Sequence, residues 1–154
     1  MSLLPSVDLF CDGACLGNPG PGGWAFLLRV RTPEGPREKE GSGADGETTN
    51  NRMELTAAIR GLETLTRPCE VRLVCDSQYV VQGLASWMKG WKAKGWRKAD
   101  GSEVLNVELW QALDRLARLH RIKTEWVKGH AGHAENERVD LLARTAAETA
   151  KARG

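Results

Sequence analysis

Four carboxylates stand in four separate sequence contexts. They are Asp12 in Phe10-Cys11-Asp12-Gly13-Ala14, Glu54 in Asn50-Asn51-Arg52-Met53-Glu54, Asp76 in Val74-Cys75-Asp76-Ser77, and Asp140 in Glu137-Arg138-Val139-Asp140. Asp12 and Asp76 follow apolar, strand-like runs; Glu54 and Asp140 lie in helix-like segments. A fold that gathered them would concentrate negative charge, and at least one carboxyl would take up a proton unless a cation held the group together. Hard divalent ions such as Mg²⁺ favour oxygen ligands and keep waters that substrate phosphates can replace. The chemistry this set supports is metal-dependent phosphodiester hydrolysis. Each acid also has an ordinary structural use. Asp12 suits a turn before Gly13, Asp76-Ser77 a helix N-cap, Glu54 the positive end of a helix, and Asp140 a pair with Arg144 one turn on. All four ordinary uses holding together is the weaker account.

The elements that must position these acids follow from apolar spacing. Val7 to Cys11 reads as a buried strand ending at Asp12, and the glycines and prolines between Gly13 and Gly23 read as a sharply turning loop. Trp24 to Val30 is a second strand, closed by the turn residues Thr32 to Pro36. Arg37 to Thr48 is polar and carries Gly41, Gly43 and Gly46, which makes it a poor strand and at best an exposed, frayed edge. Leu55, Ala58, Ile59, Leu62 and Leu65 give helical spacing over about 50–65, and Asn50 or Asn51 is placed to cap that helix. Val71 to Cys75 is a short strand with a helix starting after Asp76-Ser77. A helix near 106–119, a strand over 122–127 and a helix over about 135–150 complete the chain. Three strands joined by turns, then alternating helices and strands, predict one α/β domain over 1–154. The strands form a mixed sheet with helices on its faces, and the strand ends of chemical interest lie together only if strands one, four and five are neighbours. Parallel strands present sites at their carboxyl ends, where Asp12 and Asp76 fall.

Composition narrows the classes further. No apolar run approaches the roughly 18 residues of a membrane span, and Asp8 and Asp12 interrupt any signal-peptide core. A cytoplasmic protein with no membrane partner is the expectation. Cys11, Cys15, Cys69 and Cys75 include no Cys-x-x-Cys spacing and read as reduced, non-catalytic thiols. The net charge of +2 does not demand a polyanionic partner, but its distribution is uneven. Lys89, Lys92, Lys94, Arg97 and Lys98 run without an acid among them, and Trp87, Trp91 and Trp96 interleave them, three of the six tryptophans. Basic residues with aromatics between them suit a nucleic-acid backbone. The competing reading is a solvated helix whose tryptophans anchor it to the core.

Together the motifs resemble a known family. Asp12-Gly13-Ala14 with Gly17-Asn18-Pro19-Gly20, Thr49-Asn50-Asn51-Arg52-Met53-Glu54, Asp76-Ser77-Gln78-Tyr79, and Val127-Lys128-Gly129-His130 with Asn136 to Asp140 look like bacterial type 1 ribonuclease H. The resemblance covers almost the whole chain in order, including the basic, tryptophan-rich insertion near 87–100. It implies a ribonuclease H-like α/β fold, a five-stranded mixed sheet with the first three strands antiparallel and strands one, four and five parallel, and an endoribonuclease that cuts the RNA strand of RNA–DNA hybrids, giving 5′-phosphate and 3′-hydroxyl ends. Asp12, Glu54, Asp76 and Asp140 would hold two Mg²⁺ ions, with Mn²⁺ as a substitute, to activate water and stabilise the leaving oxygen. His130 matches a mobile histidine assisting proton transfer or product release. His133 reads instead as a loop or capping residue. Asn18, Asn50 and Gln78, with Asn51 as an addition, match positions near the 2′-hydroxyls that distinguish RNA from DNA. Thr49 resembles part of a DNA-phosphate pocket, Trp87 part of the DNA channel, and the basic insertion with Trp96 a further backbone contact. No extra apolar stripe suggests an oligomer, so a monomer is expected. Two other functions stay open at this point: a silent hybrid-binding module, and a related nuclease or strand-transfer enzyme acting on duplex DNA.

Overall fold

Alternating apolar residues at Val7, Leu9 and Cys11 on one side, with Phe10 on the other, make the first strand a two-faced element buried in a sheet. The computed structural model describes residues 4–128 and 133–153. It contains five strands, β1 (Ser6–Cys15), β2 (Gly20–Thr32), β3 (Gly35–Thr48), β4 (Glu70–Cys75) and β5 (Arg121–Trp126), in the order β3-β2-β1-β4-β5. β1, β2 and β3 pair antiparallel, while β1-β4 and β4-β5 pair parallel. The predicted mixed sheet is therefore the observed one.

Helices α1 (Asn50–Glu63) and α4 (Val107–Ala117) cover one face, and α5 (Ala134–Arg153) covers the other. Between them, α2 (Gln78–Gln82) runs through a π-helical turn, Gly83–Trp87, into α3 (Met88–Ala93). The main core joins Leu9, Leu55, Leu62, Leu73, Trp110 and Leu113, all fully buried. A second cluster of Phe10, Ala25, Leu27, Val74, Val139 and Ala143 lies beneath α5.

Three expectations are corrected. β1 does not stop at Asp12: Gly13, Ala14 and Cys15 continue it, and Gly20 to Gly23 already belong to β2. Those glycines serve close packing rather than turning. β3 is not frayed; it pairs with β2 from Thr32↔Gly35 to Gly20↔Thr48, with one irregularity near Gly22. Its support comes from its neighbour. Trp24 and Phe26 sit directly opposite Gly43 and Gly41, and their stacked rings fill the space where those side chains would be, so that a Cβ on Gly41 would lie 2.6 Å from the Phe26 ring. Aromatic cover of a cross-strand glycine shields an otherwise weak strand. Finally, Thr49 rather than Asn50 or Asn51 caps α1, its Oγ1 accepting from the Arg52 N–H at 3.3 Å.

Candidate active site

The β1-β4 ladder ends at Phe10↔Val74, and each strand then carries an acid two residues on. Asp12 and Asp76 are thus delivered side by side at the carboxyl ends of adjacent parallel strands. Glu54 arrives from one face because Gly13 has no side chain: a Cβ there would lie 2.5 Å from the backbone nitrogen of Glu54. Gly23, paired with Ala14, does the same for the other face, where a Cβ would lie 2.6 Å from the Ala147 nitrogen in α5. Two glycines on neighbouring strands therefore let two helices close on the sheet from opposite sides. The sequence reading assigned both to the turning loop; Gly13 directly after the strand's acid Asp12 and Gly23 directly before Trp24 were the available signals.

Ligand-capable oxygens of Asp12, Glu54 and Asp76 lie within 4.8 Å of one another. Asp140 is not one of these three, but it neighbours Asp12 and helps to raise that carboxyl, while its Oδ2 accepts from Arg144 Nε at 3.0 Å. The helical pairing with Arg144 and a place beside the other acids are therefore both realised. Asp12 and Glu54 are only 3% and 4% exposed. Burial first, and then the charge of Asp76, push the Asp12 carboxyl up to about 8. Burial, followed by the charges of Asp12 and Asp76, raises Glu54 well above the usual carboxylate range. Glu54 Oε2 is buried and has no hydrogen-bond partner among the described residues. An orphaned carboxylate oxygen in an all-oxygen nest of repelling acids fits a hard divalent cation.

The polar residues predicted to read substrate lie at the surface, in the β1-β2 connection and at the starts of α1 and α2. Asn18 is exposed, and its Oδ1 accepts from the Asn50 N–H at 2.9 Å, tying the β1-β2 connection to the start of α1. Asn50 and Asn51 are exposed in the first turn of α1, and Gln78 is exposed at the start of α2. Ser77 caps α2 by accepting from the Val80 N–H at 3.2 Å, which leaves the neighbouring Asp76 carboxylate outside the cap.

The basic insertion divides by role. Lys89, Lys94 and Lys98 are exposed, whereas Lys92 reaches α4 and pairs with the buried Asp114 at 3.0 Å. Arg97 is exposed and donates to the Gly101 carbonyl at 3.0 Å. Trp91 packs edge-on against Trp110, and Trp96 is half-buried against the main core, so both act as anchors. Trp87, in the π-helical turn, keeps an exposed ring face beside Tyr79 and Trp91. The anchoring reading of the tryptophans is thus realised for Trp91 and Trp96. His130 lies outside the described residues; His133 is exposed and its carbonyl accepts from the Glu137 N–H at the start of α5, as a capping residue does.

Residues 5–148 match the family model described as RNase H. The chain is 61% identical over 137 residues to the ribonuclease H of Halorhodospira halophila, covering 89% of each. Among solved structures, it resembles LC9-RNase H1, a type 1 RNase H with the type 2 active-site motif, with a TM-score of 0.86, 34% identity, and coverage of 97% of this chain and 75% of that one. It also resembles LC11-RNase H1 in complex with RNA/DNA hybrid, with a TM-score of 0.68, 25% identity, and coverage of 94% and 98%. A sheet that delivers two acids from parallel strand ends, helices that add two more, and a match over nearly the full chain lead to one assignment: this protein is a nuclease of the ribonuclease H family.

Proposed function

We propose that this enzyme cleaves the RNA strand of RNA–DNA hybrids, using two Mg²⁺ ions held by Asp12, Glu54, Asp76 and Asp140 and leaving 5′-phosphate and 3′-hydroxyl ends. The observation that carries this reading is the buried nest of acids, with its orphaned Glu54 oxygen and protonation-prone Asp12. When bound, the divalent ions supply activation of the attacking water and stabilisation of charge on the phosphate and the leaving oxygen. Mn²⁺, equally an oxygen-seeking ion, serves as a substitute.

The chain's own residues hold and select the substrate. Because the Oδ1 of Asn18 is committed to Asn50, its Nδ2 is the group left to donate toward a 2′-hydroxyl oxygen or a base edge. Gln78 and the side-chain amides of Asn50 and Asn51, all exposed, are assigned to the same task. Thr49 accepts from Arg52, so its hydroxyl proton is free to donate to a phosphate of the DNA strand. Trp87 offers an exposed ring to the DNA channel, and Lys89, Lys94, Arg97 and Lys98 neutralise phosphates beyond it. Lys92 contributes mainly by bracing this segment on Asp114. His130 assists proton transfer or product release from its place between the glycines Gly129 and Gly132. The hybrid carried by the similar LC11-RNase H1 structure supports this substrate class.

Cleavage of a 5′-labelled RNA, presented free, in duplex RNA and paired to DNA, with Mg²⁺ or chelator, tests the reading. Cutting of the hybrid alone, only with metal, is the expected result. Tight hybrid binding without cutting would replace it with a silent binding module.

A further inference from the structure

Backbone hydrogen bonding between β4 and β5 ends just before Asp76. Cys75↔Trp126 is the last register pair, and the Val127 N–H donates to the Cys75 carbonyl at 3.0 Å. The next carbonyl along β4 is that of Asp76, where the chain leaves the sheet and no strand backbone is left to donate to it. Its partner is a side chain: Trp126 Nε1 donates to the Asp76 carbonyl at 3.0 Å. One residue on, Ser77 is fixed by the first turn of α2, through its Oγ to the Val80 N–H and its carbonyl from the Val81 N–H. The peptide joining Asp76 to Ser77 is thereby held on one side by an indole and on the other by a helix cap.

Trp126 is poorly explained as a core residue. It is 44% exposed and belongs to neither apolar cluster, unlike Trp110, which is fully buried. Its ring therefore contributes little to burial, while its single donor is spent on the backbone of an acid in the nest. A carbonyl freed from that bond would let the 76–77 peptide rotate, and the Asp76 carboxylate moves with its own backbone. Residues that orient a ligand without touching the metal commonly affect affinity more than folding.

We infer that Trp126 is a positioning residue for Asp76, which sets the affinity of the carboxylate nest for divalent metal. This rests on the proposed function, since it takes Asp76 as a ligand. The Trp126→Phe variant removes the N–H and keeps most of the ring. Titration of Mn²⁺ into metal-free protein by calorimetry should show the dissociation constant raised about 10-fold. The half-saturating Mg²⁺ concentration for cleavage should rise in parallel, with the KM for hybrid and the urea midpoint near those of the unaltered protein. Asp76→Asn is titrated alongside. Loss of Mn²⁺ binding in Asp76→Asn with normal binding in Trp126→Phe would overturn the positioning role alone. Normal binding in both would overturn the metal-site reading itself. Should Trp126→Phe not fold, the unaltered protein still decides: the Trp126 indole proton should exchange slowly with water and its resonance should shift as Mg²⁺ is added. Rapid exchange with no shift would overturn the inference.

Discussion

One face of the sheet is filled by leucines and a tryptophan under α1 and α4; the other is filled more thinly, under a single helix that meets it through Val139 and Ala143. The thinner face is supplemented by charge. Arg138 on α5 donates to Glu38 at 3.0 Å and Glu40 at 2.9 Å on β3, while Arg29 on β2 reaches Glu38 and Glu135. Both faces deliver an acid to the same nest, but by different means. α1 is held by deep apolar burial, with Leu55, Ala58 and Leu62 fully buried around Glu54. α5 is held by close backbone approach at Gly23, which small side chains permit and large ones would prevent. The comparison teaches that stability and site geometry are supplied unequally: the thick face anchors the fold, and the thin face is shaped to bring Asp140 near.

Trp110→Ala should give the largest effect, because its fully buried ring fills the space over Gly83 and bonds the Tyr79 hydroxyl through Nε1 at 3.0 Å. A loss of about 3–5 kcal/mol is expected, read as a lowered urea midpoint; a loss under about 1 kcal/mol would deny the thick face its anchoring role. Asp12→Asn probes the junction of the two faces. The raised Asp12 pKa means that the metal-free fold binds a proton which the unfolded chain has already lost, so its stability falls as pH rises from about 4 to about 8. Asparagine should reduce that slope, leaving the part due to Glu54, and stabilise the metal-free protein at pH 8, while abolishing cleavage. Thermal melts at several pH values, with and without Mg²⁺, would show this, and a melt insensitive to both pH and the substitution would contradict it. On the thin face, Ala143→Leu should overpack the cluster with Phe10, Ala25 and Leu27 and cost about 1–3 kcal/mol, with metal affinity falling as well because Asp140 is displaced. Stability lost with unchanged metal binding would separate α5 packing from the site. Arg138→Ala should have the smallest effect, under about 1 kcal/mol and diminishing with salt, since the pairs are exposed. A salt-insensitive loss above that level would show the thin face leaning on charge more than on packing.

Where the sequence was legible, one physical signal dominated locally. The stripe of Leu55, Ala58, Ile59 and Leu62 predicts α1 to within two residues at its end, and the apolar run before Asp76 predicts β4. The gathering of Asp12, Glu54 and Asp76 was legible because motif order and chemistry agreed, and parallel pairing brings Asp12 and Asp76 together as expected. What escaped the reading depends on partners distant in sequence. β3 lacks strand-like side chains because Trp24 and Phe26 of β2 supply them from across the ladder. Gly13 and Gly23 look like loop residues until helices are placed against them. The charge of Lys92 looks free until α4 brings Asp114 beside it. The helix cap was misplaced by one residue for a simpler reason: Thr49, Asn50 and Asn51 are all competent caps, and only backbone geometry distinguishes them.

The parallel pairing of β1 with β4 joins residues 64 apart in the chain, and α5 lies far beyond either. Closing so long a loop is entropically slow compared with forming the local β1-β2-β3 meander. During synthesis Asp12, Glu54 and Asp76 all emerge in the first half of the chain, and Asp140 only near its end. The repulsion that Asp140 adds therefore opposes only the last stage of assembly. A chain whose α5 has not docked can gather three of the acids but not Asp140, so the full set waits for the last helix.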